Sequence, residues 1–109
     1  MGQRVAVEGG PPRGGVYQGA LFYGESHLRK REYLRAVVHF RRAAAAASSG
    51  EDRQLAQALV HLAAAGQKRL MGDAAGSERQ LAHARRRLEP YLPRSRRLDL
   101  ADLLALVEE

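Results

Sequence analysis

No cysteine occurs among the 109 residues. That excludes a disulfide framework, zinc held by thiolates and a cysteine nucleophile, and it fits a reducing compartment. Tryptophan is also missing, and aromatic residues make up 6% of the chain, too few for a typical sandwich or barrel. No stretch approaches the roughly 18 to 20 continuous apolar residues of a membrane-spanning helix. Met1 to Ala6 lacks the charged-then-apolar run of a secretory signal, because Gln3 and Arg4 mix with Val5 and Ala6 ahead of Glu8. These absences predict a cytoplasmic protein with no membrane partner. Lysine is scarce as well: Lys30 and Lys68 stand against 16 arginines.

What is present is helix-forming. Alanine (19) and leucine (15) dominate, and the length bounds the chain to one domain with one core. Residues 1–16 are rich in glycine and proline and read as an irregular arm, and residues 17–109 as a single helical-bundle domain. The arm's Gly9-Gly10-Pro11-Pro12-Arg13-Gly14-Gly15 is no phosphate loop, since no Gly-Lys-Ser/Thr follows it. Tyr17, Leu21, Gly24 and Leu28 share one face of a first helix that ends in the charged Arg29-Lys30-Arg31 stretch. In a second helix, running to about Ala47, Tyr33, Val37, Phe40 and Ala44 form a stripe with Leu34, Val38 and Ala45 beside it. Ser49 or Gly50 caps a third helix, whose Leu55, Leu59, Leu62, Gly66 and Leu70 recur at helical spacing. Asp73 caps a fourth, with Leu81, Ala84 and Leu88 in line, closed by Pro90 and Pro93. Arg94 to Arg97 read as a basic connector, and Asp99 opens a last short helix bearing Leu100, Leu103, Leu104 and Val107. The predicted fold is all-α: a compact bundle of about five helices, sequential ones packed as antiparallel neighbours.

The segment Leu55 to Leu92 resembles the second half of domain-of-unknown-function family 309, small all-helical bacterial and archaeal proteins. Ala58-Leu59-Val60-His61-Leu62-Ala63-Ala64 stands where that family has Gly-Leu-Ile-Gln-Leu-Ala-Ala. Gly72-Asp73-Ala74-Ala75-Gly76-Ser77 matches its Gly-Asn-x-x-Gly-Ala turn, and Leu98 to Glu109 is similar to its C-terminal helix. With the stretch before it, the resemblance spans roughly residues 21–109 and implies a helical fold. The family's signature, Gly-x-Tyr-Phe-Glu-Ala-His-Glu-x-Leu-Glu-x-x-Trp, is not kept. Aligned on Tyr33 and Ala36, its His and Glu fall on Val37 and Val38, its Leu on Phe40, its second Glu on Arg41 and its Trp on Ala44. A further histidine frequent in the family falls on Lys68. The resemblance therefore carries over no His/Glu site.

Catalytic equipment is sparse. His27, His39, His61 and His83 are nowhere three or four residues apart, so no helix presents a two-histidine metal face. His39 and His61, on successive helices, are the pair placed to meet. Glu25-Ser26-His27 points three side chains in different directions, which is no triad. Glu51-Asp52 sits at a helix start, where acids complement the dipole. No catalytic, cofactor-binding or metal-binding residue is assigned, and the chain is expected not to be an enzyme. The best binding candidate is the basic group Arg79, Arg85, Arg86, Arg87, Arg94, Arg96 and Arg97. Residues 76–98 hold seven basic and two acidic groups, followed by four acids in residues 99–109. Arg79, Arg86 and Arg97 are placed to extend one strip for phosphate contacts. The competing reading is a solvated face neutralised by Glu89, Asp99 and Asp102, in a composition that GC-rich coding also produces. The alanine faces Ala43 to Ala47 and Ala56 to Ala65 exceed what such a bundle must bury, which leaves surface for a protein partner or a second copy. The sequence thus predicts a protein-binding or scaffolding module, with arginine-mediated nucleic-acid binding as the alternative.

Overall fold

The computed structural model describes residues 15–108, so the arm expected over residues 1–16 lies, apart from its last two positions, outside the described residues. Among these are five helices: α1 (Gly15–Arg29), α2 (Tyr33–Ala46), α3 (Gly50–Leu70), α4 (Ala74–Leu88) and α5 (Leu100–Glu108). Between α4 and α5 the chain makes a 3₁₀ turn, Glu89–Tyr91, and a short antiparallel hairpin of β1 (Arg94–Ser95) and β2 (Leu98–Asp99). Helices α1 to α4 pack in sequence, each on the one before it, and α5 closes against α3 and α1. The fold is the expected all-α bundle. No described helix is long and apolar enough to cross a membrane.

Local chemistry places the helix ends. The side chains of Ser49, Asp73 and Asp99 accept hydrogen bonds from the amides of Asp52, Gly76 and Asp102, at 3.0, 2.8 and 3.0 Å. Two helices end in the same left-handed closure. After α3, Gly72 (φ 84°) donates to the Arg69 carbonyl and Asp73 to that of Lys68. After α1, Arg31 (φ 63°) and Glu32 donate to the carbonyls of Leu28 and His27. Glycine adopts this conformation without strain and arginine does not.

The core is built from the predicted stripes. Tyr17, Leu21, Gly24 and Leu28 of α1, Phe40 of α2, and Leu55, Leu59, Leu62 and Gly66 of α3 are buried. Gly24 lies under the Phe40 ring and Gly66 under Tyr33, so a methyl group at either position would overlap the ring. Ser77, a buried polar side chain, donates to the Ala65 carbonyl at 2.8 Å and so joins α4 to α3.

Two expectations about α3 fail. The α3 alanines expected to supply spare surface, Ala56, Ala58, Ala63 and Ala65, have no exposure. Flanked by α2 and α4 and covered by α5, α3 buries far more than a single stripe. Leu70, expected to continue its leucine stripe, is exposed at the last position of the helix.

Candidate functional site

The seven arginines singled out in the sequence do not form one strip. Arg85 pairs with Glu108 of α5 at 2.6 Å, Arg94 with Asp99 across the hairpin at 3.4 Å, and Arg96 with Asp52 of α3 at 2.6 Å. The neutralising acids are therefore Glu108, Asp99 and Asp52, where the sequence had suggested Glu89, Asp99 and Asp102; Asp102 instead binds Arg29 at 2.7 Å. Arg97 lines a depression with Gln18, Phe22 and Glu25 of α1, away from the other two members of the expected strip. Arg79 and Arg86 stay exposed on α4 and enter no ion pair among the described residues.

The hairpin that displaces these side chains was not legible in the sequence. Its two-residue loop, Arg96-Arg97, holds both residues at positive φ (51° and 68°), the geometry that matches strand twist and that Asn-Gly usually supplies. The strain is offset by anchoring: Arg96 donates from both Nε and Nη2 to Asp52 Oδ1. Close by, the Tyr17 and Tyr91 hydroxyls donate to the carbonyls of Asp52 and Glu51 at 2.7 and 3.0 Å. Burial raises the phenol pKa at both tyrosines.

The histidines pair differently from expectation. His39 does not meet His61; it stacks on His27, with ring centres 5.1 Å apart and planes 9° from parallel. His61 lies against His83 at 5.2 Å. Helices α2 and α3 are neighbours, but their rotations turn His39 toward α1 and His61 toward α4. His27 Nδ1 is bonded to Glu32 Oε1 at 2.7 Å, and this bond is the main reason the Glu32 carboxyl lies below the usual range. Burial, then the neighbouring His27 and Arg42, lowers the His39 imidazole below its ordinary value, and its Nδ1 is buried without a hydrogen-bond partner. No group of three metal-ligating side chains converges among the described residues.

Two surfaces remain. The first is the outer ridge of α2, where Leu34 and Val38, one turn apart, are 63% and 56% exposed. Arg35 and Arg42 flank them, and α2 contains no acidic residue. The second is a groove of about 420 Å³ across α3, lined by Arg41 and Ala44 of α2, Gln57, Val60 and His61 of α3, and Arg87 of α4. Its α4 wall is ordered by Gln80, whose Oε1 is 2.7 Å from His61 Nδ1, and by Arg87, whose Nη1 approaches Gln57 Oε1 at 3.4 Å. The sequence signal for this wall was the four-residue spacing of Gln57 with His61 and of His83 with Arg87, which places each pair on one helix face. Comparison with protein-family models, curated proteins and solved structures finds no match.

Proposed function

We propose that the chain is a non-enzymatic, cytoplasmic protein-binding module whose α2 ridge receives an acidic amphipathic helix of a partner, and that it is a divergent member of domain-of-unknown-function family 309. The observation that carries this reading is the exposure of Leu34 and Val38 between arginines on a helix without acids. Apolar side chains one turn apart are the pattern by which one helix reads another. Covering both contributes about 1–2 kcal/mol each, and acidic flanks on the partner would meet Arg35 and Arg42. The resemblance supports it from another side. Of the positions aligned with the family's His and Glu, Val37 packs against the core and Val38 is exposed and apolar, so contact surface stands where the family has a charged residue. The residue aligned with the family's glycine is Arg31, at φ 63° in the left-handed closure where glycine is favoured.

A second reading, nucleic-acid binding, rests on Arg79 and Arg86, which lie two turns apart on α4 and stay clear of the ion pairs formed by their neighbours. One experiment separates the two. Tagged protein is used to recover partners from its source lysate in nuclease-treated and untreated halves, and any stoichiometric partner is purified and titrated against variants. The module reading expects nuclease-resistant recovery and about tenfold weaker binding for Leu34→Asp or Val38→Asp. Recovery that collapses with nuclease and with Arg79→Glu/Arg86→Glu overturns it in favour of the second. A partner indifferent to Val38→Asp removes the ridge from the site.

A further inference from the structure

We propose that the groove across α3 is a binding site for a small phosphate monoester. Two arginines line it from opposite walls, Arg41 from α2 and Arg87 from α4. No carboxylate lines the groove, unlike the surroundings of Arg85, Arg94 and Arg96, each of which has its own acid. Arg41 enters no ion pair among the described residues, and Arg87 makes only a long contact of 3.4 Å to a neutral amide, which an anion would displace. A phosphate dianion matches two guanidinium groups in charge and accepts their paired N–H donors in forked geometry.

The other lining residues narrow the ligand further. His61 is held through Nδ1 by Gln80 and backed by the His83 ring, which leaves Nε2 as its remaining polar atom. Ala44 and Val60 supply an apolar floor on which the organic part of a monoester rests. About 420 Å³ falls in the range of small-molecule sites. A nucleic-acid backbone, with one charge per phosphate, needs a rail of cations along its path, and the dispersal of the arginines denies it one. Arg41 lies one turn along α2 from Val38, so the groove borders the ridge, but its other charged and polar residues sit on α3 and α4 and do not depend on the protein-partner reading.

The test is a titration of the intact protein with inorganic phosphate, adenosine monophosphate and a single-stranded oligonucleotide, following the His61 and His83 ring resonances by NMR. The expected result is saturable shifts of both rings, with the monoester tighter than inorganic phosphate. Arg41→Gln and Arg87→Gln should each weaken it about tenfold, the loss of one charge-assisted hydrogen bond. Lys30→Gln, beyond the end of α1 and outside the groove, should leave it unchanged. The two groove variants lie on different helices, so failure of one to fold leaves the other as the test. Unmoved ring resonances, equal weakening by Lys30→Gln, or preference for the oligonucleotide over the monoester each overturns the proposal.

Discussion

Replacing Gly24 with alanine tests the tightest contact in the bundle. A Cβ built at Gly24 falls 2.6 Å from Phe40 Cδ1 and 2.9 Å from Cζ, and Phe40 has no exposed surface into which its ring could swing. Forcing a methyl group into such a contact costs about 1–3 kcal/mol. The better helix propensity of alanine returns up to about 1 kcal/mol. The balance is a loss of about 1–2 kcal/mol, which for a domain of this size lowers Tm by about 5–10 °C. Thermal and urea unfolding followed by far-UV circular dichroism measures it, and the same substitution in a Phe40→Leu background supplies the control. With the ring gone, the Gly24→Ala penalty should fall to less than half, because the two residues share one contact. If Gly24→Ala raises Tm, propensity outweighs packing and the proposed close approach of α1 and α2 is wrong. An equal penalty in both backgrounds would refute Phe40 as its cause.

Arg97→Gly should stabilise the fold by about 1 kcal/mol by relieving a positive φ in the hairpin loop, seen as a higher urea midpoint at unchanged slope; a lower midpoint would mean that the arginine side chain matters more than its backbone. Ser77→Ala should cost about 1 kcal/mol through loss of the buried bond to the Ala65 carbonyl, and a neutral result in urea melts would show that bond to be dispensable. For His39, the lowered folded pKa means that the unfolded chain binds more protons, so stability should decline as pH falls through the ordinary histidine value near 6.5. His39→Gln should flatten that limb, leaving the later loss at lower pH as Glu32, whose folded pKa is also lowered, takes up its proton; an unchanged profile between pH 7.5 and 5.5 (about one unit either side of the ordinary histidine value) would exclude His39.

The helices were legible because their determinants are local. Apolar residues spaced three and four apart marked the buried faces of α1, α2 and α3, and Ser49, Asp73 and Asp99 cap where their side chains can reach amides three residues ahead. The candidate site was less legible. Its arginines stood out as a cluster in sequence, yet Arg85, Arg94 and Arg96 are committed to ion pairs, two of them with acids 23 and 44 residues away. Arg41, which completes the groove, lay outside that cluster.

By itself the sequence determined which segments are helical, where they stop and which stripes are apolar, since capping, turn geometry and periodicity act within about four residues. Tertiary structure alone decided that α3 has neighbours on several sides and buries its alanines, and that His39 meets His27 while His61 meets His83. It also decided which arginines keep a free guanidinium. Those outcomes depend on how far each helix is rotated about its axis when it packs, a quantity set by ring-on-glycine contacts such as Phe40 over Gly24 and Tyr33 over Gly66, and no local pattern encodes it.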